Sequence, residues 1–153
     1  MTAAPGVAAA PTRFAIVAAA RAFIGTPYRH QASLADAGCD CLGLVRGVWR
    51  ALYGPEPEAV PPYTPDYGEA DRSEPLLTLG HRHLVPIPIA VAQPGDILAF
   101  RMRSGRVAKH CAILSTPKTM IHAQSNDCVR EVSLSAAWRR LIASAFAFPG
   151  VAD

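Results

Sequence analysis

Asp40-Cys41 marks the point where a loop turns into an apolar segment with helical spacing, and this position gives the Cys41 thiol chemical meaning. Aspartate is a favoured N-cap residue. A thiol in the first turn of the helix meets unpaired backbone N–H groups and the positive end of the helix dipole. Both favour the thiolate and bring its pKa below the free value of about 8.5. Gly43 lies in the same turn. It costs the helix about 1 kcal/mol against alanine, and its bare backbone lets another element pack close behind the thiol. A thiolate nucleophile needs a base, and two histidines on neighbouring expected strands supply one. His110 begins one strand and His122 lies in the next, so His122 can orient the ring of His110, which pairs with Cys41.

The four cysteines also admit other chemistry. A disulfide framework is poorly supported in a chain of 153 residues without a secretory pattern, and bonding Cys39 to Cys41 would close a strained loop. Cys39, Cys41, His110, Cys111, His122 and Cys128 are all possible zinc ligands, but Cys-x-Cys followed by His-Cys departs from the usual spacing of paired ligands; no metal and no cofactor is expected. Cys111 and Cys128 lie in apolar strand patterns and read as core residues. Cys39 is an unassigned second thiol. His30, His81 and His83 have no partner pattern and read as surface residues.

The elements that must position these groups follow from periodicity. Residues 1–11 form a flexible arm. Thr12 caps a helix over 13–23, ended by Gly25 and Pro27. A loop follows over 26–39. A second helix runs over 41–53, with Leu44, Val45, Val48, Trp49 and Leu52 on one stripe and Gly54-Pro55 as its stop. Residues 55–94 hold nine of the 14 prolines. This reads as an extended, surface-wrapping excursion with at most one short helix near 76–80. Strands are expected over 97–102, 109–115, 119–123 and 128–132, with a hairpin turn at 103–106, then a short helix over 135–141 and a last strand over 143–148. Helices first and an antiparallel meander second make the class α+β, and residues 12–150 make one domain.

Composition sets the remaining bounds. With 50% hydrophobic and 18% charged residues the chain is neither disordered nor large enough for two independent cores. No apolar run reaches the roughly 20 residues of a membrane helix. No secretory signal is expected, since the first basic residue, Arg13, follows the small apolar residues instead of preceding them. The net charge is +3, and no basic cluster is dense enough for nucleic acid. Six acidic residues and only Arg72 as a basic one lie between Gly54 and Pro75, so the remainder is more basic than the total, a balance that favours anionic polymers.

Five segments taken in order carry a resemblance: Thr26-Pro27-Tyr28, Gly38-Cys39-Asp40-Cys41-Leu42-Gly43-Leu44-Val45, Gln93-Pro94-Gly95-Asp96-Ile97, Lys109-His110-Cys111-Ala112-Ile113 and Ile121-His122-Ala123. Their order and separations resemble the NlpC-type papain-like cell-wall peptidases, over residues 14–148. The Ala-Gly-Cys-Asp-Cys stretch is most similar to the branch found in phage tails and gene transfer agents. The resemblance implies an antiparallel sheet with the cysteine helix packed against it. It implies Cys41 as nucleophile, His110 as general base and His122 as the orienting third residue. Tyr28 would help hold substrate or oxyanion at the site mouth, and Asp40 would face the substrate. The implied reaction is hydrolysis of peptidoglycan stem peptides, commonly between D-glutamate and the diamino residue, to open a host wall for a phage-like tail.

The implied partners are peptidoglycan and tail or baseplate proteins. The implied location is a virion or particle tail, made in the cytoplasm and acting in the target-cell periplasm. The sequence departs from the family pattern in three places. Leu42 stands where a serine usually follows the nucleophile, Cys111-Ala112 stand where a small aliphatic residue and glycine usually follow the histidine, and the excursion over 55–94 is long, as a docking device for a tail partner would be. A structural baseplate component of the same fold with little activity is the alternative, as is the same machinery acting on a lipid or small-molecule amide.

Overall fold

The computed structural model describes residues 10–64, 73–102 and 107–153. Residues 1–9 of the arm over 1–11, residues 65–72 of the excursion and the turn over 103–106 lie outside these residues.

Helix α1, Arg13–Arg21, opens at Thr12, whose hydroxyl accepts from the amide of Ala15 at 3.0 Å, and it buries Ile16, Val17 and Ala20. It stops two residues short of the expected end, and the chain passes through turns to Gly25, which takes a left-handed φ of 90°. The segment expected as plain loop forms a two-stranded ribbon, β1 (Ser33–Leu34) with β2 (Gly38–Cys39). Helix α2 spans Cys41–Tyr53 as its stripe predicts, with Leu44, Val45 and Val48 buried. Gly54, at φ 89°, ends it. The two helices pack against each other, with the Phe23 ring lying over Gly47.

The described parts of the excursion, 55–64 and 73–94, hold more regular structure than their prolines suggest. Helix α3 covers Pro75–His83, because a proline in the first turn starts a helix instead of breaking it. Strand β3, Val85–Ile87, follows as a sheet edge, where Pro86 is tolerated. Three of the excursion's acidic residues, all among the described residues, pair with other parts of the protein. Glu56 meets Arg46 at 2.5 Å and Arg50 at 3.0 Å on α2. Glu58 meets Arg82 at 2.5 Å and His83 at 2.6 Å on α3. Glu74 accepts from Arg101 and from the amide of Ala108, both at 2.8 Å. His83 therefore has a partner and is half-buried, contrary to its reading as a surface residue, while His30 and His81 are exposed.

The sheet runs β3-β8-β4-β5-β6-β7, antiparallel throughout. Strands β4 (Ile97–Phe100), β5 (His110–Thr116), β6 (Thr119–Ala123) and β7 (Val129–Ser133) form the expected meander. Helix α4, Ala136–Arg140, capped by Ser135, turns the chain back. Strand β8, Ile142–Ala147, then inserts between β3 and β4, which a simple meander does not do. All four residues of β4 are buried, so both faces of the sheet are covered. On one face, α1 and α2 pack with Ile97, Ala99, Cys111 and Ile113. On the other, Leu98, Phe100, Ala112 and Leu114 pack with Trp138 and Leu141. Successive residues of β4 and β5 thus serve opposite cores.

Candidate active site

The Asp40 carboxylate fixes the start of α2. Its Oδ1 accepts from the Gly43 amide at 2.7 Å, the capping bond the sequence called for. Its Oδ2 accepts from the Gln31 amide at 2.7 Å and from the hydroxyl of Tyr63. The Tyr63 carbonyl in turn takes Gln31 Nε2 at 2.6 Å and His30 Nε2 at 2.7 Å. Asp40 is 2% exposed, so the structure places this carboxylate beneath the site, joined to three segments of chain. Gly43 is required here. A Cβ on it would sit 1.9 Å from the carbonyl oxygen of Ala32, and that oxygen also accepts from the Asp40 amide at 3.1 Å.

On this support Cys41 stands half-buried at the first helical position, with its thiol 3.5 Å from the carbonyl oxygen of Lys109. Its pKa is held well below the usual thiol value. Hydrogen bonding from the Cys111 thiol is the largest cause, followed by hydrogen bonding and charge from His110, against the opposing effects of burial and Asp40. His110 thus stands near enough to Cys41 to act on its thiol by hydrogen bonding and charge.

His110 Nε2 lies 2.9 Å from His122 Nδ1. Burial, and then the charge of His110, push the pKa of His122 down to about 4, so this ring is neutral at neutral pH. Once His110 is protonated, both its nitrogens carry hydrogens, and only a neutral His122 can accept from Nε2. The pair thus fixes how His110 must stand, with Nε2–H toward His122 and Nδ1 as the remaining proton-accepting atom. Aromatic rings enclose the pair. Phe100 and Trp138 lie 5.8 and 5.7 Å from His110, and Trp138 lies 5.5 Å from His122.

Tyr28 is half-buried and is held by its amide on Asp127 at 2.9 Å and by a bridge to Cys39. Burial, then the charges of Cys41 and Asp40, push its hydroxyl up to about 12, so it remains a proton donor at any physiological pH. Among the other thiols, Cys39 and Cys111 are buried, while Cys128 is only half-buried, less enclosed than its apolar surroundings in sequence imply. Leu42 is buried and lines an apolar pocket with Val45, Leu76, Ile97 and Phe146, which explains an aliphatic side chain after the nucleophile. Among the described residues no cluster of three His, Cys, Asp or Glu side chains is arranged to hold a metal ion, and no helix is long and apolar enough to cross a membrane.

A thiol of lowered pKa at a helix start, a histidine beside it and a neutral acceptor behind the histidine form the layout of a thiol-dependent hydrolase. The family model for the NlpC/P60 family matches residues 25–145, a span that contains every one of these groups. The chain belongs to the NlpC/P60 family. Solved structures agree on the papain-like fold. The NlpC/p60 domain of the peptidoglycan hydrolase SagA superposes with a TM-score of 0.62 at 27% identity, over 90% of this chain and 99% of that one. NlpC2 from Trichomonas vaginalis gives a TM-score of 0.62 at 19% identity, over 94% of this chain and 48% of that one. The peptidoglycan hydrolase RipB from Mycobacterium tuberculosis gives 0.56 at 18%, over 88% and 63%. The chain thus spans about half to two thirds of the length of the last two. Among curated protein sequences nothing matches.

Within this NlpC/P60 domain, reading the sequence missed three contributors. Tyr63 sits in the proline-rich excursion, 23 residues from the Asp40 it touches, and carries no local signal. Trp138 arrives from α4 on the far side of the sheet. Cys111 was legible in principle, because strand alternation turns the residue after His110 toward the helix layer.

Proposed function

We propose that this NlpC/P60 domain, residues 12–150, is a cysteine peptidase that hydrolyses peptidoglycan stem peptides. The observation that carries the reading is the Cys41–His110–His122 arrangement at the start of α2. The Cys41 thiolate attacks a peptide carbonyl carbon, and the carbonyl oxygen becomes an oxyanion. The Cys41 amide has no acceptor within its helix, as holds for a first helical residue, and it donates to that oxyanion together with the protonated Tyr28 hydroxyl. Preorganised donors of this kind are worth a few kcal/mol. His110, having taken the thiol proton at Nδ1, returns it to the leaving amine. Water then attacks the thioester with His110 as base, releasing the acid and regenerating the thiol. His122 accepts from His110 Nε2 throughout.

The family supports a wall peptide as substrate, and the peptidoglycan hydrolases SagA and RipB share its fold. The bond we assign is the one between D-glutamate and the diamino residue. The Ala37-Gly38-Cys39-Asp40-Cys41 stretch supports a place among the enzymes of phage-like tails, where the protein would open the wall of a target cell from its periplasm, with tail or baseplate proteins as neighbours. Incubating purified sacculi with wild type and with Cys41→Ala tests the reading. Muropeptides released by the wild type alone, with mass spectrometry placing the cut after D-glutamate, are expected. No release by either protein would overturn the peptidase reading in favour of a structural component.

A further inference from the structure

Cys111 carries no proton in peptide hydrolysis, although it helps to hold the Cys41 pKa down. Its thiol donates to the carbonyl oxygen of Cys41 at 3.3 Å. Each thiol also shifts the other more than any other group does, Cys111 lowering the pKa of Cys41 and Cys41 raising that of Cys111. The second neighbour, Cys39, is differently placed. Its thiol donates to the Asp40 carbonyl at 3.1 Å, and burial pushes it up to about 12. Exposure separates the pair further. Cys41 opens to the site mouth, whereas Cys111 is 2% exposed beneath α2. Of the two thiols, Cys41 is therefore the more exposed to a small oxidant.

We propose that Cys41 and Cys111 form an oxidation site for hydroperoxides, closing a reversible disulfide across the start of α2. The chemistry balances in two steps. The Cys41 thiolate attacks the peroxide oxygen, forming a sulfenic acid and releasing hydroxide. The Cys111 sulfur then attacks the Cys41 sulfur; the sulfenic hydroxyl leaves and takes the Cys111 proton, giving a disulfide and water. The first step prepares the second. The Cys41 negative charge raises Cys111, and conversion of Cys41 to a neutral sulfenic acid removes it. Cys111 becomes a better nucleophile only after Cys41 has been oxidised. Closure protects the nucleophile from the irreversible sulfinic and sulfonic acids, and two-electron reduction restores it.

This inference shares the assignment of Cys41 as a reactive thiol with the peptidase reading, but its test does not depend on wall hydrolysis. The full chain is treated with a small excess of hydrogen peroxide, alkylated without reduction, digested with trypsin and mapped by mass spectrometry. The expected product links the peptide 30–46 to the peptide 110–118, with fragmentation placing the bond at Cys41 and not Cys39. Dithiothreitol is expected to return both thiols. In Cys111→Ala, the same treatment is expected to add two or three oxygens to Cys41 that dithiothreitol does not remove. Wild-type protein whose Cys41 gains oxygens without the cross-link overturns the proposal, as does a bond to Cys39. Because the wild-type map decides alone, a variant that fails to fold leaves the test intact. A cross-link in protein that releases no muropeptides when reduced would sink the peptidase reading and leave the thiol pair standing.

Discussion

Replacing His122 with leucine removes the acceptor behind His110 and fills the space with a side chain of similar bulk. His122 is 4% exposed and takes the Nε2–H of His110 at 2.9 Å. With leucine there, the imidazolium of His110 faces Phe100 and Trp138 with one N–H unanswered. A hydrogen bond to a charged group contributes about 1.5–3 kcal/mol. That loss falls on the protonated form of His110, so the thiolate–imidazolium pair weakens against the neutral pair. The apparent pKa of Cys41 should therefore rise. The matching loss in kcat/KM is roughly ten- to hundredfold.

The thiol is read directly by alkylation with iodoacetamide across the acid and neutral range, following the Cys41 peptide by mass so that Cys128 does not contribute. Wild type should alkylate at an acid pH where His122→Leu is inert, and the two rates should converge once both thiols are ionised. His122→Asn, which offers an amide oxygen as acceptor, should recover most of the acid reactivity. A His122→Leu protein that melts like wild type and keeps both its alkylation profile and its kcat/KM would refute the argument, because His122 would then be packing alone.

Three further outcomes follow from the same contacts. Gly43→Ala forces a Cβ to within 1.9 Å of the Ala32 carbonyl oxygen, and the backbone shift needed should destabilise by about 1–3 kcal/mol, read as a lower urea midpoint together with slower Cys41 alkylation. Asp40→Ala removes a cap worth about 1 kcal/mol together with the acceptor of the Gln31 amide and the Tyr63 hydroxyl, so its melting temperature should fall by more than that of an exposed aspartate variant. The folded pKa of His122, about 4, lies below its ordinary 6.5, so between these values the unfolded chain binds the extra proton. The stabilisation is full above pH 6.5, declines as pH falls toward 4, and amounts to at most about 3 kcal/mol. Urea midpoints against pH should show this acid slope in wild type and a shallower one in His122→Leu.

The parts legible in the sequence are those whose cause is local. Thr12 and Asp40 announce their helices because a side-chain oxygen three residues before an unpaired amide is a short-range event. The meander from β4 to β7 is legible because each strand is a short apolar run bounded by turn residues, a local pattern. Strands β1 and β2 have two residues each, too few for any period to register. The place of β8 between β3 and β4 depends on a return past three strands, and nothing in residues 142–147 encodes which edge they meet. The excursion over 55–94 was read through its prolines, yet its structure follows its carboxylates. Glu56, Glu58 and Glu74 each find a basic or amide partner in a different segment, and such pairings over long separations leave no trace in composition.

Strand β5 explains why one short segment shapes the chemistry of the site twice. Its residues alternate between two cores, with Cys111 and Ile113 toward α1 and α2 and Ala112 and Leu114 toward α4. His110 shares the second side, where Phe100, Trp138 and His122 enclose it. Cys41 lies just beyond the end of this strand, with its thiol against the carbonyl of Lys109, so it can be reached from both faces. From one face a base meets the thiol, and from the other a second thiol does. A glycine or alanine at 111 would leave the base intact and remove the sulfur, because neighbouring positions on a strand are independent in direction. Adjacent residues of one strand thus supply the base and the second thiol, and Cys111→Ala should respond to peroxide differently from wild type while His110 keeps its place.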